Sequence, residues 1–356
     1  MKYIFLLFSL ALGTYSFAND GVFYAKGNQL IPIFETEIAV QKEILTLKKV
    51  RNQMIEVTVY YEFFNPGEEK ILTVGFEAIS PTGDVDGAMK NGKHPFMHDF
   101  TVQSNDEILS YDIAYVSDEL YAENGAIKSI DFDKFKGSTD GNYVEFYYVY
   151  HFQMKFKKGL NKVKHTYNYN VSGGICYNYN FEYVLTAANR WGNKQIDDFT
   201  LIIDNGEFET FTIAQTFFSD KNDWLINGIG KSKNVLILDE KETRFHIQKG
   251  TLIFQKKNFK PSGELFVTSS YCNWEEEKTK DLPFSYYYQH RIPEPTTDFE
   301  KRALRNLPFA RRGYVFKNPE LQKYFEKMDW YIPNEHYFPD VNQLTKVEQE
   351  WVKKYS

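Results

Sequence analysis

The chain has 356 residues, with 42 Lys and Arg against 48 Asp and Glu and a formal net charge of −6. That length allows two domains and a sizeable core, and the acidic balance excludes the broad cationic surface that general nucleic-acid binding needs. Tyr and Phe number 26 and 31, and residues of this kind fit half-buried pleated surfaces, so most of them are expected in a β-rich core.

Met1-Lys2 is followed by an apolar run from Tyr3 to about Leu12, and Ser16-Phe17-Ala18 closes the segment. One positive charge, a short apolar stretch and a small-x-small end predict a secretory signal peptide over residues 1–18, cleaved after Ala18. The run is shorter than the ~20 residues a spanning helix needs. No second long apolar run follows, so the mature chain is expected to have no transmembrane segment. No cysteine follows the cleavage site, which argues against a lipoprotein anchor. The expected address is the periplasm or the extracellular face of the cell. In such an oxidising compartment the two cysteines, Cys176 and Cys272, can form one intramolecular disulfide. Two buried free thiols are the alternative.

From 19 to 290 the pattern is strand-like. Ile55 to Phe63 alternates with period two, Asn65-Pro66-Gly67 makes a turn, and Ile71 to Phe76 returns, which predicts a hairpin. Tyr143 to Phe156 is an aromatic run with Phe146, Tyr148 and Tyr150 on one face. Phe199–Ile203, Thr251–Phe254 and Leu265–Thr268 follow, each bounded by Gly, Asn or Asp. Many short strands separated by turn residues predict a mainly β fold, an antiparallel β-sandwich region of one or two sandwiches.

Pro293-Glu294-Pro295 is a stiff, extended linker, so a boundary is expected over 291–297. Beyond it, 298–356 reads as a small α-helical domain. Thr297-x-x-Glu300 is a capping box, and Phe299, Ala303 and Leu307 share one helix face. Gly313 suits the left-handed position past a helix end. Asn318 caps a second helix with Pro319 at its first turn, and Leu321, Tyr324, Phe325 and Met328 form its apolar face. Asp329 to Asn334 is expected to fold back over the core. Thr345-x-x-Glu348 opens a last helix through Trp351 and Val352. Pro308 costs about 3 kcal/mol in a helix interior, which predicts a kink or a break there.

Within this segment the order Leu304-Arg305-Asn306, Phe309-Ala310-Arg311-Arg312-Gly313-Tyr314, Phe316, Leu321, Tyr324-Phe325, Trp330-Tyr331, Pro333-Asn334 and Thr345 with Glu348 resembles the YARHG domain over Asp298 to Tyr355. Phe309 stands where the naming motif has Tyr, and Arg312 where it has His. An arginine neither titrates near neutral pH nor binds metal as imidazole does. The resemblance implies an extracellular setting and cell-wall association, and it brings no established activity.

Lys301, Arg302, Arg305, Arg311, Arg312 and Lys317 lie in a stretch that contains no acid. They can form a basic patch for an anionic polymer or a protein partner. They can equally cap helix carbonyls and pair with an acid inside the module. The first reading names Arg305, Arg311, Arg312, Tyr314, Trp330 and Tyr331 as the binding set, with peptidoglycan or an envelope protein as partner. His94, His98 and Asp99 sit together, with His151 and His165 elsewhere, but no spacing demands the three ligands a zinc site wants. Asp84 and Asp86 lack the calcium-loop offsets. Trp191, Trp224, Trp274 and Tyr286-Tyr287-Tyr288 are either core or sugar-stacking platforms. No catalytic motif, cofactor or metal site is predicted. The expected function is non-enzymatic binding or scaffolding in the envelope, and the alternative is an envelope hydrolase in which His94, His98, Asp99 and His165 converge.

Overall fold

The computed structural model describes residues 30–32, 36–51, 54–79, 89–121, 127–131, 146–174, 177–270 and 281–356. The predicted signal peptide, both cysteines, Asp84, Asp86 and Trp274 lie outside the described residues. The strands are β1 (Leu30–Pro32), β2 (Ala39–Arg51), β3 (Met54–Asn65), β4 (Lys70–Ile79), β5 (Met97–Ser104) and β6 (Glu107–Ile108). There follow β7 (Asp112–Tyr121), β8 (Ile127–Ser129), β9 (Tyr147–Phe156), β10 (Gly159–Asn170), β11 (Ser172–Gly174) and β12 (Tyr177–Tyr183). The last are β13 (Ile196–Asp204), β14 (Glu209–Ala214), β15 (Trp224–Ile237), β16 (Glu240–Phe259) and β17 (Leu265–Ser270). Three helices close the chain: α1 (Asp298–Arg311), α2 (Pro319–Glu326) and α3 (Lys346–Lys354). The protein is mainly β with a helical C-terminal region. No helix among the described residues is long and apolar enough to cross a membrane.

Two sheets share one core. The smaller runs β1-β4-β9-β7-β8, and the larger runs β11-β12-β17-β14-β16-β13-β2-β3-β10-β5-β6, with β15 on the free side of β16. Side chains alternate across each strand. On β3 this sends Ile55, Val57, Val59, Tyr61 and Phe63 inward, and on β10 it sends Val163, His165, Tyr167 and Tyr169 inward. The smaller sheet meets them with Val74, Phe76, Tyr150 and Phe152. The larger sheet also bends back on itself, because Tyr169 of β10 touches Phe181 of β12 across 6.2 Å although six strands separate them in the strand order. Trp191 and Trp224 belong to this core rather than to a surface platform.

Two expectations are corrected. β3 and β4 do not form a hairpin: β3 pairs with β2 and β10, while β4 pairs with β1 and β9 in the other sheet. The Asn65-Pro66-Gly67 turn is present, but it is a corner between sheets. Asn65 Oδ1 accepts from Gly67 N at 3.1 Å, and its Nδ2 donates to Phe156 O at 3.2 Å, at the neighbouring corner where β9 leads into β10. The sandwich is also not purely antiparallel, since β13 runs parallel to β2 from Ile196 opposite Val40 to Asp204 opposite Lys48. A turn signal reports that the chain reverses, not which neighbour it then finds.

The helices obey their local signals. Thr297 and Glu300 form the capping box of α1, Asn318 caps α2 with Pro319 at its start, and Thr345 and Glu348 cap α3. Past α1, Gly313 N donates to Ala310 O and Tyr314 N to Phe309 O, the paired bonds of a Schellman ending, with Gly313 at φ 83°. A β-carbon there would come within 2.2 Å of Ile332 O. Helix α1 continues through Pro308 to Arg311 instead of breaking. Proline removes the N–H that would have bonded Leu304 O, and Trp351 Nε1 of α3 supplies that donor at 2.7 Å. The helical core also recruits residues from outside the helices. Phe208, Leu282 and Phe284 pack with Leu304, Leu307, Phe325 and Trp330.

Candidate functional site

Alternation also carries charges inward. On β2, Lys49 follows the buried Glu43, Leu45 and Leu47 at steps of two, and on β14, Glu209 leads Phe211 and Ile213. The two charges meet: Lys49 Nζ lies 2.6 Å from Glu209 Oε1, with side-chain exposures of 10% and 8%. They form the charged part of a pocket of about 480 Å³ lined by Lys49, Val50, Asn205, Gly206, Glu209, Tyr286 and Tyr287. The pocket stands where the sheet meets the segment leading into the helices. Tyr286 and Tyr287 come from a 3-10 turn at Tyr286–Arg291, capped by the Ser285 side chain.

Aromatic rings surround the ammonium. Lys49 Nζ lies 4.7 Å from the Tyr287 ring centroid and 5.3 Å from that of Tyr179, and it donates to Tyr287 OH at 3.4 Å. Asn205 Nδ2 donates to Tyr179 OH at 3.0 Å, which fixes the floor. The second oxygen of Glu209, Oε2, is buried and has no hydrogen-bond partner among the described residues. Burial pushes the Glu209 carboxyl up to about 6 against the opposing pull of Lys49. The pocket therefore presents an ion-paired carboxylate, an ammonium and aromatic walls. Neither Lys49 nor Glu209 stands out by motif, and the readable signal is a charge in phase with a buried strand face.

Two of the basic residues expected in a docking patch, Arg311 and Arg312, are engaged in internal contacts. Arg311 is 1% exposed. Its Nη2 and Nε donate to Pro283 O at 2.8 and 3.2 Å, its Nη1 donates to Gln289 Oε1 at 2.9 Å, and it lies 4.3 Å from the Tyr286 ring centroid. Burial lowers its pKa to about 10. Arg312 caps Pro308 O at 2.8 Å and grips Glu348 with two bonds, at 2.6 and 3.0 Å. It also lies 5.0 Å from the Phe208 ring centroid. Glu348, 2% exposed, accepts from the Tyr286 hydroxyl as well and from Thr345 N at 2.8 Å. Burial opposes ionisation of Glu348, yet the bonds from Arg312 and Tyr286 hold its carboxyl below the ordinary value. Arg312 thus takes the second role foreseen, capping a helix carbonyl and pairing with an acid of the module, while Arg311 is buried against Pro283 and Gln289. Trp330 and Tyr331 are buried too: Trp330 Nε1 donates to Leu282 O at 2.7 Å and Tyr331 OH to Tyr314 O at 2.6 Å. Tyr314 packs on Phe316, and Arg305 is half-buried on α1.

The histidines do not assemble a hydrolase site. His165 is fully buried between Tyr61, Phe76 and Tyr167. His98 Nε2 bonds Asn170 Oδ1 at 2.8 Å, and Asp99 accepts from Asn168 at 3.0 Å. His94 is buried against Tyr148, with Nδ1 accepting from Phe96 N. No group of three or more potential metal ligands occurs among the described residues.

Residues 294–356 match the family model of the YARHG domain, and the chain carries that domain at its C-terminal end. The crystal structure of a candidate nutrient binding protein from Legionella pneumophila is similar over 95% of this chain and 100% of its own, with a TM-score of 0.50 and 18% identity. That likeness is one of fold. An M1 zinc metallopeptidase from Deinococcus radiodurans matches 67% of this chain and 43% of its own, with a TM-score of 0.25 and 9% identity, and carries no argument about role. No curated protein matches the chain.

Proposed function

We propose that the chain is an exported, non-enzymatic binding protein of the bacterial envelope that holds a small polar solute in the Lys49–Glu209 pocket. The observation that carries this reading is the Lys49–Glu209 ion pair lining a pocket whose volume lies within the range of about 300–1,000 Å³ usual for small-molecule sites. The nutrient binding role offered for the Legionella protein of like fold agrees with this reading. The YARHG domain then braces the site from behind, because Tyr286 lines the pocket while its hydroxyl bonds Glu348 of α3. The test is a thermal-shift screen of the full chain against monosaccharides, amino acids and dipeptides. One class is expected to raise Tm in the native protein and not in Glu209→Gln; a screen with no stabilising class overturns the reading.

A second reading, docking of the YARHG domain to an envelope partner, is favoured by apolar side chains left exposed on it: Phe338 at 77%, Val347 at 65% and Val341 at 43%. Such a surface suits a protein partner better than peptidoglycan, which needs hydrogen bonds. Co-sedimentation of the full chain with peptidoglycan and with isolated envelope proteins separates the two. Retention that survives Phe338→Ser would sink this second reading.

A further inference from the structure

Resting on the pocket reading above, we propose that Phe208 is a backbone latch through which the YARHG domain sets the pocket: with its ring held by the helical domain the Lys49–Glu209 pair is closed, and with the ring released the pair opens. Phe208 stands next to Glu209 and two residues past Gly206, and both of those line the pocket. Its φ is 55°, in the left-handed region. Asn and Asp visit that region readily, and bulky residues do not. Leu238 and Asp239 share it, but they form the two-residue turn between β15 and β16, where such angles are usual. Phe208 lies instead in the connection 205–208 from β13 to β14.

What holds the angle is the other region of the molecule. The Phe208 ring is 6% exposed and belongs to the helical core, not to the core between the sheets. The Arg312 guanidinium lies 5.0 Å from its centroid, and the rings of Tyr286 and Phe284 meet it edge-on at 5.3 and 5.7 Å. Arg312 is itself fixed by Glu348 of α3 and by Pro308 O. On the sheet side, Phe208 N donates to Gln248 O at 3.1 Å, and Glu209 pairs with Ile247. Phe208 is therefore pinned between the two regions.

The same connection bridges the two charges. Asp204, the last residue of β13, pairs with Lys48, so the connection 205–208 runs from the strand beside Lys49 to Glu209 itself. A bulky residue disfavours the left-handed angle by about five- to a hundredfold, and loss of the ring contacts lets it return to the extended region. An extended Phe208 lengthens the bridge by about 2 Å, the difference between helical and extended rise per residue. That is enough to separate a pair closed at 2.6 Å. Linkage runs both ways: whatever lifts the helical domain unlatches the pocket, and a solute that favours the closed pair tightens the domain onto the sheet.

The experiment is acetylation of the full chain with sulfo-N-hydroxysuccinimide acetate, followed residue by residue by mass spectrometry. Lys49, with a side chain 10% exposed, is expected to react slowly, and Lys158 and Lys257, at 66% and 74%, serve as internal standards. Phe208→Ala and Phe208→Gly lose the same ring but differ in backbone freedom, because of the two only glycine keeps a left-handed angle without strain. Phe208→Ala should raise Lys49 acetylation about tenfold or more, and Phe208→Gly by less than about threefold, with the standards unchanged. Equal rises would show that the ring acts by packing alone, and no rise in either would show that nothing is latched; both results overturn the proposal. Arg312→Lys keeps a cation for Glu348 but loses the planar face over Phe208, so it carries the test if Phe208→Ala fails to fold by far-UV circular dichroism. It should raise Lys49 acetylation by about threefold, and an unchanged rate overturns control by the helical domain. The measurement needs no solute. A solute screen with no stabilising class removes the pocket reading and leaves the latch, whereas a Lys49 rate indifferent to all three variants removes the latch and leaves the pocket reading.

Discussion

The helical region and the β-region treat buried polar groups in opposite ways. Between 298 and 356, the polar atoms of Arg311, Arg312, Trp330, Tyr331, Glu348 and Trp351 are hydrogen-bonded, and no buried side-chain N or O lacks a partner among the described residues. In the sheets, both nitrogens of His165 and the hydroxyls of Tyr148 and Tyr167 are buried without a partner among the described residues, as is Glu209 Oε2. The difference follows from size. About sixty residues cannot bury enough apolar surface to absorb such costs, so polar bonds have to specify how the three helices pack. The sheets share a large aromatic core that tolerates orphaned groups. Polar substitutions should therefore destabilise the helical region and relieve the β-region.

The largest expected effect tests the first half of that contrast. Glu348→Ala strands Arg312, the Tyr286 hydroxyl and the α3 cap together, and urea unfolding of the full chain should show a loss of about 3–5 kcal/mol. A loss near zero would break the contrast. Next comes Glu43, wholly buried on β2, whose carboxyl is pushed up to about 8 by burial. A folded pKa above the ordinary 4.5 means that stability is complete below that pH and declines as pH rises through about 8. Glu43→Gln should flatten this decline, with a relative gain of roughly 2–4 kcal/mol at pH 8 and little at pH 4.5. Denaturant melts across that range give the answer.

Smaller effects sharpen the comparison. Trp351→Phe leaves Leu304 O unpartnered beside Pro308 and should cost about 1–3 kcal/mol. Adding Pro308→Ala restores a helical N–H and should recover part of the loss; a double mutant as unstable as Trp351→Phe would show that the indole acts by packing alone. His165→Phe should behave oppositely, stabilising by about 1 kcal/mol at pH 7 by removing unpartnered nitrogens from an aromatic cage. Burial lowers the His165 pKa to about 3, so its stability contribution is complete above the ordinary 6.5 and is lost as pH falls through 3. The variant's advantage should therefore grow on acidification, and thermal melts at pH 7 and pH 4 measure it.

How much was legible depends on the range of the interaction. The caps at Thr297, Asn318 and Thr345 and the left-handed Gly313 were readable because each is decided within one helical turn. The inward face of β3 was readable from its period. The fate of Pro308 was not, because the donor that rescues its helix comes from Trp351, 47 residues away along the chain from Leu304. That an arginine before Gly313 would cap a carbonyl and pair with an acid was open in the sequence, but not its partners, since nothing near Arg311 and Arg312 in sequence announces Pro283 O, Gln289 or Glu348.

By itself the sequence determined that the chain is mainly β with a helical end, where the helices start and stop, and that the C-terminal segment is YARHG-like. Those features rest on residue spacing and on contacts within a few positions. Only the tertiary structure decided that the Asn65 corner changes sheets, that β2 takes β13 as a parallel neighbour, that the arginines turn inward and that Lys49 meets Glu209. Each of those depends on which distant strand closes beside another, and local propensity carries no information about that choice.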